Sequence, residues 1–171
     1  GYLKENDVYP GSCISADHYF SPVQGCLLHT FGRERHGYTC GSLFVDHASG
    51  KIFNFPQYSN TASETIRSTL HLEAMALDKG FKIKRYHSDN SIFASAEFKQ
   101  HCALQHQTYS FSGVGAKHQN GVAKRNIKTV AQWARTNMLH LATNWPQFAS
   151  PKYWPQAIDY AVWVFNRLPN I

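Results

Sequence analysis

The chain reads as an α/β domain: a mixed five-stranded sheet with helices on both faces. Three observations predict this. Short β-rich runs and longer helical periods succeed one another in the order β-β-β-α-β-α-β-α-α, which is the pattern of a layered sheet-and-helix domain. The 171 residues are the length of one domain with a sizeable core. The hydrophobic fraction of 43%, with 11 Phe, 9 Tyr and 4 Trp, excludes a disordered chain.

Each element has a local reason. Residues 12–20 alternate, with Ile14, Ala16 and His18 on one side and Asp17 on the other, so they read as a strand that Pro22 and Gly25 end. Residues 38–46 and 51–57 are β-rich runs around His47-Ala48-Ser49-Gly50 and predict a hairpin. Residues 61–79 place Ile66, Leu70, Ala74 and Leu77 at a helical period, entered through Asn60/Thr61 and closed by Gly80. Residues 81–86 form the fourth strand, ending at His87-Ser88-Asp89-Asn90. A helix over 95–106, a short strand over 108–111 and a loop over 112–115 follow. A long helix then starts near Lys117, with Ile127, Val130, Ala131, Ala134, Met138 and Leu141 as one apolar stripe. The last helix, 153–167, begins after Pro151 and stops before Pro169.

Charge is divided unevenly along the chain. Residues 1–97 carry ten acids against nine Lys/Arg, whereas residues 98–171 carry eight Lys/Arg and only Asp159 as an acid. No carboxylate lies between Glu97 and Asp159, so the stretch that carries Lys99, Lys117, Lys124, Arg125, Lys128, Arg135 and Lys152 has no acid within it for local salt bridges. A solvated helix face mixes signs; a one-sign half is the footprint of a polyanion partner. No apolar run approaches the roughly 18–20 residues that span a bilayer, and the N-terminus lacks the order of a signal peptide. The absence of an initial Met and the abrupt ends predict an internal piece of a longer polyprotein. Cys13, Cys26, Cys40 and Cys102 are scattered without a CxxC pair, which predicts a reduced, intracellular setting.

Two lone acids carry the chemistry. Asp17 lies within a predicted central strand and Asp89 just past the end of another, so neighbouring strands would bring the two carboxylates together as a hard-oxygen site for Mg²⁺ or Mn²⁺. Such sites support two-metal phosphoryl transfer when three or four carboxylates converge. The segment 115–126, GAKHQNGVAKRN, resembles the signature of the integrases of Ty1/copia-type retrotransposons, in which a loop ending in Gln-Asn-Gly-Val leads into the helix bearing the catalytic glutamate. His87-Ser88-Asp89-Asn90 resembles that family's second motif, and Ile14-Ser15-Ala16-Asp17 its first. The stretch from Val45 to Lys51 sits where the family places its second hairpin. Tyr153-Trp154-Pro155-Gln156-Ala157 and Phe165-Asn166-Arg167-Leu168-Pro169 resemble its C-terminal helix.

The resemblance covers nearly the whole chain, in order. It implies an RNase-H-like fold and, on double-stranded DNA, metal-dependent 3′-end processing followed by strand transfer. It also implies a homo-oligomer acting in the nucleus, and an Asp, Asp, Glu triad with about 35 residues between the last two. Asp17 and Asp89 occupy the first two positions as metal ligands. The third holds Lys124, with thirty-four residues between it and Asp89 and no acid nearby to replace it. A protonated lysine has no lone pair to give a metal, so the resemblance implies impaired catalysis. Lys124 is compatible with a decayed copy, a deliberate or erroneous change, or a descendant that binds DNA without cutting it.

Lys117, His118, Asn120, Lys124 and Lys128 are the predicted nucleic-acid contacts, Lys117 and Lys128 foremost as phosphate partners, with Gly115 and Gly121 loosening the loop. Trp133, Trp154 and Trp163 read as core or interface, and Tyr160 with Trp163 as a candidate dimer contact. Cys26, His29, His36 and Cys40 superficially suggest a zinc site, but the spacing favours a hairpin between the first strands. A cellular RNase-H-like nuclease is a third reading, disfavoured by the Gln-Asn-Gly-Val phrase.

Overall fold

The structure is a computed structural model that describes residues 9–27, 37–113 and 120–168. Its five strands are β1 (Ile14–Gly25), β2 (Tyr38–Asp46), β3 (Ile52–Gln57), β4 (Arg85–Ser88) and β5 (Thr108–Phe111). The four α-helices are α1 (Ala62–Asp78), α2 (Ala96–Leu104), α3 (Gly121–Asn144) and α4 (Trp154–Phe165). The sheet order is β3-β2-β1-β4-β5. The first three strands are antiparallel neighbours, while β4 runs parallel to both β1 and β5. This is the predicted mixed sheet. One core, with Ile14, Ala16, Phe44, Tyr86, Phe93 and Phe98, lies under α1 and α2. A second, with Leu43, Val45, Val130, Ala134, Trp154 and Ile158, lies under α3 and α4.

Four expectations are corrected. Strand β1 does not stop at Pro22 but continues to Gly25, with an irregular register between Phe20 and Gly25. Its pairing with β4 ends at Ala16↔Ser88, so the distal half of β1 is an edge there, where a residue without an N–H is tolerated. Strand β4 spans Arg85–Ser88, later than the expected 81–86. The intervening backbone bonds elsewhere: Phe81 N to Ala76 O, closing α1, and Lys84 N to Gly11 O. Gly11 has φ +81, and a Cβ there would sit 2.7 Å from Lys82 O, so this close approach requires glycine.

The third correction concerns α1. Its buried residues are Thr65, Ser68, Thr69, Leu72 and Ala76, whereas the anticipated stripe leaves Leu70 45% and Leu77 57% exposed. A hydroxyl-bearing face can be buried because its donors are satisfied: Ser68 Oγ donates to Glu64 O (3.1 Å) and Thr69 Oγ1 to Thr65 O (2.9 Å). From the sheet, the fully buried Gln57 donates to Ser42 Oγ (2.8 Å) and Ser68 Oγ (2.9 Å). The helix ends are as predicted. Thr61 Oγ1 accepts from Glu64 N (3.4 Å), and Gly80 N bonds Leu77 O in a left-handed terminal turn. The fourth correction is that α3 starts at Gly121 rather than near Lys117.

A polar knot ties the first helical layer to the sheet. Glu73 on α1 accepts from Tyr86 Oη (3.0 Å), Gln107 Nε2 (2.7 Å) and His101 Nε2 (3.1 Å). Burial, and then the Glu73 charge, hold the Tyr86 phenol protonated and therefore a donor. Removing the acceptor strands three donors in a poorly solvated place. Glu73→Ala is expected to destabilise the fold by about 3 kcal/mol in urea unfolding. A loss under about 0.5 kcal/mol, the scale of an ordinary surface substitution, would show that the knot contributes nothing.

Candidate functional site

The parallel pairing of β1 with β4 aligns Ser15 with His87 and Ala16 with Ser88, so Asp17 and Asp89 are the next residues on adjacent strands. Asp17 points to the α3 side of the sheet, opposite the core residues Ile14 and Ala16, and is only 6% exposed. Its Oδ1 accepts from the His18 amide at 2.8 Å. Asp89, partly buried, follows the last residue of β4, and its Oδ1 is buried with no hydrogen-bond partner.

Helix α3 arrives over these acids through Asn120. That side chain is fully buried, and its Nδ2 donates to Ala16 O at 3.1 Å, one residue before Asp17. Asn120, predicted as a nucleic-acid contact, is therefore a strut holding the start of α3 against β1; its side chain has no exposed surface to offer a phosphate. Lys124 follows four residues later, on the same helix face and partly buried. Lys128 is exposed one turn further on. Lys117, His118 and Gln119 lie outside the described residues, as do His29 and His36 of the zinc alternative.

Electrostatics tie Asp17, Asp89 and Lys124 into one neighbourhood. Burial first, and then the Asp89 charge, raise the Asp17 carboxyl to about 6, against the lowering effects of the His18 amide and the Lys124 charge. The sequence leaves His18, beside Asp17, open between a packed neighbour and an acid/base group, and the structure packs it. The His18 ring stacks on Phe93 (centroids 4.6 Å apart), its Nε2 meets Thr65 Oγ1 at 3.0 Å, and burial lowers it to about 4. His18 is thus a neutral, packed side chain beneath Asp17. The sequence signal for this is the alternation that sets His18 on the same side as Ile14 and Ala16. Trp163, expected in core or interface, is 52% exposed, with the Arg167 guanidinium 3.9 Å above its ring.

The donor set can be tested against a metal. Among the described residues, His18 Nδ1, Asp89 Oδ1 and Asn120 Oδ1 are buried atoms without partners, and all three belong to residues around Asp17. Two carboxylates and an amide oxygen are the hard donors that Mg²⁺ or Mn²⁺ takes. Lys124 offers none. Among the described residues no group of three His, Cys, Asp or Glu is placed to hold an ion. The residues therefore fit one divalent ion shared by Asp17 and Asp89, and do not fit a second one completed at position 124.

The two shifted groups oppose each other in pH dependence. Between 3.8 and about 6, folded Asp17 keeps a proton that the unfolded chain has released, so its contribution to stability falls as pH rises through that window. Between about 4 and 6.5, folded His18 lacks a proton that the unfolded chain holds, so its contribution rises with pH. Asp17→Asn removes the first trend and leaves the second. Urea unfolding across pH is expected to show the variant matching the wild type near pH 4 and exceeding it by about 3 kcal/mol at pH 7. Parallel profiles at all pH values would show that Asp17 is not held in a raised state.

No family model matches this sequence, and no curated protein matches it. Solved structures do. The HTLV-2 integrase catalytic core domain, in its trimeric form with magnesium, is 21% identical over 95% of this chain and 89% of its own, with a TM-score of 0.66. The simian T-cell lymphotropic virus intasome chain is 19% identical with a TM-score of 0.73, covering 100% of this chain and 53% of its own. The BIV integrase catalytic core domain is 14% identical with a TM-score of 0.63, covering 93% and 86%. At these identities the likeness is one of architecture, and this chain has the RNase-H-like fold of retroviral integrase catalytic cores.

Proposed function

We propose that this domain is an integrase catalytic core of the Ty1/copia retrotransposon type, a part of a longer polyprotein whose parent chemistry is 3′-end processing and strand transfer of element DNA. The observation that carries the reading is the β1–β4 pairing, which makes Asp17 and Asp89 the next residues of neighbouring strands, with the Lys124 charge of α3 acting on Asp17. In this reading Asp17 and Asp89 hold one Mg²⁺ or Mn²⁺, as the donor set suits. Bound there, such an ion supplies Lewis-acid stabilisation of charge at phosphorus. The chain's own groups do the rest. Asn120 fixes the approach of α3, and neutral His18 donates its amide to Asp17 and packs behind it.

Lys124 replaces an oxygen donor of charge −1 with a group of charge +1, so the second metal position is not completed and strand transfer is impaired. DNA is the partner that the basic C-terminal half suits, with Lys128 and Lys117 as phosphate contacts and His118 beside them. No described helix is long and apolar enough to cross a membrane. An intracellular site of action, nuclear when host DNA is the target, and a homo-oligomer complete the reading. Dimeric and trimeric forms are described for the HTLV-2 core. A binding-only domain derived from an integrase is the second reading, favoured by Lys124 itself and by the absence of any acid on α3.

Mn²⁺-dependent nicking and end-joining of a short duplex, run side by side for the wild type and Lys124→Glu, tests the assignment. Activity in the variant alone is expected; equal activity in both removes residue 124 from the centre. For DNA binding, Lys128→Ala is expected to weaken affinity alike for all sequences and to reduce the slope of log K against log salt by about 1. An unchanged slope would place Lys128 off the phosphate path.

A further inference from the structure

Two like charges in a poorly solvated place are costly unless a cation stands beside them. Asp17 is nearly inaccessible, and Asp89 keeps an oxygen buried without a hydrogen-bond donor. The strand register holds the pair together whatever else is bound. The Asn120–Ala16 bond then fixes the start of α3 one residue from Asp17, and the helical repeat carries residue 124 to the same face. Helix α3 has no acid of its own to draw that side chain away. The Lys124 charge acts on Asp17 in the direction that favours the ionised carboxylate.

We propose that Lys124 is a built-in counter-cation for the Asp17–Asp89 pair, standing in for a divalent ion so that the centre stays formed without metal and binds Mg²⁺ or Mn²⁺ only weakly. This rests on the reading of Asp17 and Asp89 as the carboxylate pair of the centre. An ammonium four residues past the strut gives the pair a full positive charge with no coordination demand. A divalent ion entering the same space meets that charge as repulsion. The lysine thus does more than fail to ligate: it opposes the ion, and it offsets part of the charge the acids bring together. A neutral side chain at 124 without an oxygen, such as methionine, would remove the opposition without adding a hard ligand. A glutamate would remove it and add one, making the centre dependent on the ion.

Mn²⁺ binding to the DNA-free chain tests this, with free Mn²⁺ followed by electron paramagnetic resonance and thermal unfolding measured in chelator and in excess Mn²⁺. The wild type is expected to bind in the millimolar range, with an unfolding midpoint that chelator does not move. Lys124→Met is expected to bind about tenfold more tightly and Lys124→Glu at least about a hundredfold, since the charge near the ion changes by one and two units respectively. The Glu variant should melt lower in chelator and recover with Mn²⁺. Micromolar binding by the wild type, or wild-type and Met variants of equal affinity, overturns the proposal and leaves the integrase reading standing. If Lys124→Glu does not fold, the wild-type and Met titrations decide alone. No binding by any foldable variant overturns the carboxylate-pair reading itself.

Discussion

The parallel contact between β1 and β4 is the constraint on which the rest of this domain depends. Only three residue pairs make it, Ile14↔Tyr86, Ser15↔His87 and Ala16↔Ser88. Those pairs join the antiparallel hairpin half of the sheet to the parallel half and bring together acids seventy-two positions apart. They also set Tyr86 above Glu73 and Ile14 against the first core, so the site and the α1–α2 layer share one register. A slip of one residue would turn Asp17 into the core and Ala16 toward α3, because side chains alternate across a strand. The centre is rigid on this account: its first acid sits inside a strand and its second directly after one.

The packing around that contact is more polar than the composition suggests. Hydroxyls on α1, the Gln57 amide and the Glu73 knot fill space that a larger apolar side chain would take in a simpler sheet-and-helix domain. Each is tied to a stated partner, so burial costs little net free energy while fixing one arrangement. The second core, under α3 and α4, is conventional by comparison. There Trp154 bridges layers, its Nε1 bonding Val23 O at 2.8 Å while its ring meets Tyr19 edge-on. The two sides of the sheet are thus held by different means, directional bonds beneath α1 and apolar area beneath α3.

Much of this was legible in the sequence. The element order, the hairpin turn at Asp46 to Gly50 and the convergence of Asp17 with Asp89 all follow from alternation, turn chemistry and topology. Asp46 carries the turn as expected of such a residue, accepting from Ser49 N and Oγ. What was not legible has a common cause: side chains whose polarity is satisfied internally look like surface. Thr65, Ser68 and Thr69 hid the true inner face of α1 behind Leu70 and Leu77, and Asn120 read as a phosphate contact because nothing local announces its bond to Ala16. The extent of β4 was misread because Phe81 N turns back to Ala76 O on α1, and pairing with β5 begins only where Lys84 O accepts from Thr108 N. Comparison with solved structures fixes the architecture, and the chemistry at position 124 has to be argued from charge.

The end of α4 carries a consequence for how the sheet meets its surroundings. Strand β3 is an outer strand, and Asn166 closes part of its rim as a neighbouring strand would, accepting from Ile52 N at 2.9 Å and donating to Ile52 O at 2.7 Å. Asp159 adds a third tie by accepting from Asn54 Nδ2 at 2.6 Å. Open strand rims are templates on which other chains polymerise. A side-chain amide imitating a peptide group blunts this one at the cost of a single residue. The sheet is thereby polarised toward its neighbours: a strand added at the β3 border would first have to displace the end of α4 from Ile52.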